Sequence, residues 1–212
     1  MATILRNWSY RYRWLYDTIA NVTALAVGGE KRFRLLPLQG IEIDRDTIAL
    51  DLCCGSGQAT KYLVECCDRV IGLDASPYAI DRAQQQVPEA EYVEAFAQAM
   101  PFEDDRFDLV HTSAALHEMQ PQVLDKILAE VHRVLKPGGT FVLIDFHAPT
   151  NPIFWPGLAL FLWLFETETA WQLIDIDLAA KLEATGFEVT KQTLHAGGSL
   201  QAIACRCAPI QN

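Results

Sequence analysis

The segment Leu50-Asp-Leu-Cys-Cys-Gly-Ser-Gly57 sets a carboxylate just ahead of a turn with two glycines, and Asp74 follows seventeen residues later, closing Val70-Ile-Gly-Leu-Asp. Glycines let backbone N–H groups approach a ligand closely. A helix starting after the turn, near Gln58, offers its positive end to an anion. A carboxylate at the tip of the next strand can accept both hydroxyls of a ribose. The chemistry in view is therefore the binding of a nucleoside with a charged tail.

Two details narrow that ligand. Thr60 stands where the dinucleotide fingerprint carries its third glycine, and the loop lacks the lysine of a phosphate-binding P-loop. Asp51, just before the turn, would repel a pyrophosphate but suits an ammonium group. An acid, two glycines and a distant ribose-type acid fit S-adenosylmethionine, whose amino-acid end carries one ammonium and one carboxylate.

Positioning these groups requires strands that end together. From Thr47 onward, short apolar runs alternate with helical patterns, which indicates a parallel α/β sheet. Strands are expected at about 47–52, 69–73, 91–95, 107–112 and 139–146, with helices near 58–66, 76–86 and 121–135. Pro137-Gly138-Gly139 stops the last of these helices. Beyond Asn151-Pro152 the pattern predicts an apolar helical insert over 151–171 and a helix near 171–184. Strands at 187–194 and 199–207 then flank a Gly197-Gly198 turn. The expected fold is a doubly wound, seven-stranded, mostly parallel sheet with a C-terminal antiparallel hairpin, in a single domain whose residues 1–40 form a helical lid.

The chain of 212 residues carries a net charge of −10, which argues against nucleic acid as its main partner. Residues 1–36 nevertheless hold six Lys/Arg against two acids. This basic leader either docks on the acidic body or makes transient contact with an anionic membrane surface. The six cysteines lack Cys-x-x-Cys spacing and read as small hydrophobes in a reducing, cytoplasmic setting. No His/Cys/carboxylate cluster has metal-ligand spacing. The longest apolar stretch, the 13 residues Ile153–Phe165, is too short for a spanning helix and contains Pro156 and Gly157.

Four segments resemble the class I S-adenosylmethionine-dependent methyltransferases: Leu50–Gly57, Gly72–Asp74, Met100–Asp108 and Glu130–Gly139. Their order over about 100 residues matches that class, whose sheet ends in the same hairpin. The flanks are similar to the C-methyltransferases of ubiquinone and menaquinone biosynthesis. The similarity lies in Tyr16-Asp17, Asn21, Gly29-Glu-Lys-Arg-Phe33, Asp145-Phe-His-Ala-Pro-Thr-Asn-Pro152 and Leu182-Glu-Ala-Thr-Gly-Phe187. Departures are a shorter insert after Pro152, and Lys31 and Arg34 where that family has histidine and tryptophan.

The resemblance implies that Asp51, Cys53, Gly55 and Gly57 hold the methionine end of the cofactor and that Tyr16 closes over its carboxylate. Asp74 would bind the ribose, with Ala75, Ser76, Ala97 and Gln98 beside the adenine and Thr112 and Ser113 near the sulfonium. Phe96 stands where many relatives have an Asp that receives the adenine amino group. Methylating a quinol carbon also needs an ionised acceptor, and the candidate bases are His117 after the fourth strand and His147 after the fifth. His111 reads as a structural residue within its strand, and Glu118 and Asp145 as partners that could orient an imidazole. The expected partner is a small, apolar methyl acceptor, with the aromatic insert over it either as lid or as a plain core helix. Methylation at oxygen or nitrogen of another small hydrophobic metabolite, and cofactor binding without catalysis, are the alternatives.

Overall fold

The computed structural model describes residues 27–208. Seven strands form one sheet: β1 (Ile48–Leu52), β2 (Arg69–Asp74), β3 (Glu91–Glu94), β4 (Phe107–Ser113), β5 (Leu135–Phe146), β6 (Phe187–His195) and β7 (Leu200–Cys207). Their order is β3-β2-β1-β4-β5-β7-β6. Pairing is parallel from β3 through β5, and β7 runs antiparallel between β5 and β6. This is the expected topology. The reversal of order on either side of β1 and β4 opens a crevice at the carboxyl ends of the strands, where ligands of such sheets bind.

Side-chain alternation along the strands gives the sheet two faces. Leu50, Leu52, Val110, Phe141 and Leu143 point to one, against Leu124, Ile127, Leu128 and Val131 of α4, the last helix before β5. Those four residues recur at the spacing of one helical face, which is why Pro121–Val134 folds as a helix and buries that side. Ala49, Val70, Leu109 and Val142 point to the other face, against Leu63 and Leu38. The remaining helices are α1 (Glu30–Leu35), α2 (Thr60–Leu63), α3 (Pro77–Gln86), α5 (Trp155–Phe165), α6 (Glu168–Ile174) and α7 (Leu178–Ala184).

Two elements depart from expectation. The helix expected over 171–184 is split into α6 and α7, because Asp177 accepts the Ala180 N–H at 3.0 Å and caps a second helix. Strand β5 also starts before the Pro-Gly-Gly turn, with Leu135 paired to Phe107 ahead of an irregularity in the ladder. Gly138 takes φ +78 there. The cysteines are all free. Among the described residues, no helix is long and apolar enough to cross a membrane.

Candidate active site

On the β1–β2 side the chain curls through three left-handed residues, Cys53 (φ 57), Gly55 (φ 55) and Gly57 (φ 85). The curl brings the loop back to the next strand tip. Asp74 Oδ2 accepts the Gly55 N–H at 2.9 Å, and Oδ1 accepts the Ser76 N–H at 2.9 Å. Ser76 in turn caps α3 through the Ala79 N–H at 3.3 Å. A carboxylate offers about four lone-pair sites, so Asp74 retains acceptor capacity for two ribose hydroxyls. Gly72 lets the layers close: a Cβ there would stand 2.8 Å from the Tyr92 ring and 3.0 Å from Cys54 Sγ. Burial, then Asp74 and Asp51, push the Cys53 thiol well above its ordinary pKa, so it stays protonated and unreactive.

Asp51 lies beneath the loop, not at its surface, and is 1% exposed. The strand register sets it opposite His111 of β4, and its Oδ1 is 3.2 Å from His111 Nδ1. Its Oδ2 accepts the Thr60 hydroxyl at 2.6 Å. His111 Nε2 donates to the Arg34 carbonyl at 3.0 Å, since a carbonyl oxygen can only accept. Arg34 Nη1 then donates to the backbone carbonyl and hydroxyl of Ser113, at 3.1 and 2.7 Å. A buried polar line thus runs from the glycine loop through β4 to α1. In this arrangement Asp51 supports the loop through His111 and Thr60.

On the β4–β5 side, Asp145 is 2% exposed and His117 4%. One oxygen of Asp145 receives the N–H groups of Ala115, Leu116 and His117 at 3.2, 2.8 and 3.3 Å. It thereby fixes the 3-10 turn that follows β4. Its other oxygen lies 2.7 Å from His117 Nδ1, and Glu166, just past α5, lies 3.5 Å from Nε2. Burial alone would lower the His117 pKa, but Asp145 and then Glu166 overcome that and hold it up to about 10. The expected base at this position is therefore an imidazolium flanked by two acceptors at neutral pH. Held this way, the ring ties the turn after β4 to Asp145 of β5 and to Glu166.

His147 donates Nδ1–H to the Gly198 carbonyl at 2.9 Å. The ring lines a groove of about 510 Å³ beside Asp175, Asp177, Gln192 and Gln201. Ala97 is buried, Gln98 half-buried, and Phe96 turns outward at 64% exposure. Thr112 and Ser113 sit buried at the end of β4, and Thr112 Oγ1 has no hydrogen-bond partner. Tyr16 lies outside the described residues. Sequence reasoning missed Arg34, Thr60 and Glu166 as site-forming residues. Glu166 carried one signal, as the first charged residue after the apolar run.

These features fit S-adenosylmethionine. The left-handed loop folds back onto the Asp74 tip of β2, Asp74 can receive a ribose, and Thr112 holds a polar atom in need of a partner. The chain also matches a family model described as a methyltransferase domain over residues 49–139. It is 55% identical to an uncharacterized methyltransferase of Synechocystis over 212 residues, with both chains covered completely. The chain belongs to the class I S-adenosylmethionine-dependent methyltransferases. Solved methyltransferases with this fold come from Mesorhizobium loti (TM-score 0.63, 21% identity, 85% of this chain and 99% of that one) and Aquifex aeolicus (TM-score 0.63, 18% identity, 90% and 98%). This methyltransferase is also 34% identical over 137 residues to the 2-phytyl-1,4-naphtoquinone methyltransferase of Nostoc punctiforme, a match covering 60% of this chain and 59% of that protein. It is 31% identical over 150 residues to the demethylmenaquinone methyltransferase of Lactiplantibacillus plantarum, covering 66% and 62%. The chain thus spans less than two thirds of these quinone methyltransferases.

Proposed function

We propose that this methyltransferase methylates a ring carbon of a small apolar acceptor of the quinol type. The observation that carries this reading is the roof over the β5 end of the crevice. No charged residue occurs from Ile153 to Phe165, and Leu158 and Leu162 of α5 join Phe33 of α1, Leu36 just past it and Phe146 of β5 in one buried cluster. An acceptor site bounded by such a roof favours an apolar ring or chain. The quinone methyltransferases among the relatives support the same class of acceptor.

When bound, S-adenosylmethionine supplies a methyl group on a sulfonium, with its leaving group already installed. In this reading Asp74 holds the ribose, Gly55 and Gly57 admit the methionine end, and Asp51 stiffens the loop from below. Ala75, Ser76, Ala97 and Gln98 border the adenine, while Thr112 and Ser113 border the reacting centre. Asp145 and His117 fix the turn after β4, and the α1–α5 roof excludes water. Alignment of this kind can supply roughly 7–11 kcal/mol. His147, whose ring lines the groove beside β5, is the side-chain base in this reading.

The test is transfer of isotopically labelled methyl to a reduced 2-prenyl-1,4-naphthoquinol by the purified protein, under anaerobic conditions, with NMR assignment of the product. Label on a ring carbon is expected. Label confined to hydroxyl oxygen, or to amine and catechol competitors supplied alongside, would overturn the carbon-methylation reading.

A further inference from the structure

Arg34 differs from the ion-paired basic residues around it. Lys31 pairs with Glu65 and Lys61 with Glu30. Arg34 is only 8% exposed, yet among the described residues no carboxylate pairs with it. Its Nη1 is used on Ser113, and its Nε is sealed from solvent without any partner. A guanidinium is charged at every working pH, and a buried charge is costly unless paired. The missing partner is an anion.

The position says which anion. Arg34 is fastened to Ser113 at the end of β4, and its neighbours Phe33 and Leu36 belong to the apolar cluster of the roof. The N–H groups that suit a methionine carboxylate belong instead to the loop after β1. A quinol carbon becomes nucleophilic when the ring hydroxyl ionises, and a phenolic hydroxyl titrates near 10 unless its anion is stabilised. We propose that Arg34 binds the phenolate oxygen of the ionised acceptor through Nε–H, beside Ser113. The hydroxyl proton is lost to solvent before the anion is enclosed, Arg34 keeps its own proton, and no bond to the protein forms. His117, clasped between Asp145 and Glu166, is then not needed as a base. The titratable groups joined to Arg34 are His111 and Asp51, which reach it through its backbone carbonyl and not through the guanidinium.

This inference rests on the quinol-type reading but is tested apart from it. The probe is 1-naphthol, an air-stable phenol whose neutral and ionised forms absorb differently, added to the protein saturated with S-adenosylhomocysteine. Bound naphthol is expected to ionise about one to three pH units below free naphthol, the range for an anion beside a guanidinium. In Arg34→Gln the midpoint should return to the free value, and in Arg34→Lys it should lie between. Affinity for S-adenosylhomocysteine by calorimetry should change less than about threefold in both, about half in free energy of the tenfold that 1.4 kcal/mol represents. Because a buried substitution could unfold the chain, arginine-¹⁵N spectra of the unmodified protein provide a second readout. The Arg34 Nε–H signal should move when naphthol is added to the S-adenosylhomocysteine complex. An Nε–H signal that moves with S-adenosylhomocysteine alone, or a variant that loses cofactor affinity with an unchanged naphthol midpoint, would make Arg34 the cofactor's carboxylate partner and overturn the proposal. Unionised or unbound naphthol would overturn it as well. Naphtholate bound through Arg34, with no methyl reaching any quinol carbon, would uphold Arg34 and remove the quinol instead.

Discussion

On the β1–β2 side of the crevice Asp74 meets Ser76 two positions away and Gly55 nineteen positions away, across one strand-helix-strand unit, and backbone N–H groups meet one carboxylate. On the β4–β5 side Arg34 reaches Ser113 across 79 positions and His117 reaches Asp145 across 28, and side chains meet side chains. The first arrangement is half-exposed and shaped by backbone conformation. The second is buried and charged. Changes on the first side should therefore alter cofactor affinity with the fold intact, whereas changes on the second should alter stability as well as transfer.

The sharpest way to break this distinction is Asp145→Ala, which strands a buried imidazolium and the N–H groups of the turn after β4. Loss of one partner of a buried pair costs about 3–5 kcal/mol, to be read from denaturant midpoints; a loss under ~1 kcal/mol would show that the pair is not buried in solution. Next comes Asp74→Ala. Removing a carboxylate that accepts hydrogen bonds from ligand hydroxyls should weaken S-adenosylhomocysteine binding by roughly 100-fold, from about 1.5–3 kcal/mol per charge-assisted bond. Unchanged calorimetric affinity would place the ribose elsewhere.

A pH series sharpens the contrast. The His117 pKa is raised from 6.5 to about 10 in the folded state. The stability it contributes is thus fully present below 6.5 and is lost as pH rises through 10, on the order of a kcal/mol per unit. Asp145→Asn should flatten that decline in unfolding free energy, while Asp74→Asn should leave it intact. Gly57→Ala is expected to cost about 1 kcal/mol, because φ is +85 and the new Cβ would meet Val87 Cγ2 at 3.3 Å. The smallest stability effect belongs to Trp163→Ser on the 52%-exposed side of α5. It should shift the melting midpoint by no more than a surface change of about 0.5 kcal/mol. Its effect should instead be a raised KM for a long-tailed acceptor, with little change for a short one.

This same division decided what could be read from the sequence. The glycine turn and Asp74 are legible because their spacing is local and their backbone requirements are specific. The sheet order followed from alternating apolar runs, although the break before Asp177 was hidden inside one continuous helical pattern. Asp51 was read as an acid for the methionine end of the cofactor, whereas its partner His111 lies 60 positions away on the neighbouring strand. Only the strand register shows that the two share a face. Arg34 stood out only as a departure from the family's tryptophan, since nothing local marks a guanidinium that will be buried. His117 was visible as a histidine at a strand end, but its proton is held by Asp145 and Glu166, which approach from two other elements.

The exposed side of α5, with Leu160 at 56%, Trp163 at 52% and the preceding Ile153 at 77%, has a practical consequence. A detergent monomer offers this surface the same alkyl chain that a prenylated acceptor would. Micelles used to disperse such an acceptor would then act twice, diluting it into their own interior and competing for the helix. Apparent affinities would track detergent concentration, and rates measured in lipid nanodiscs would exceed those in micelles at equal acceptor content.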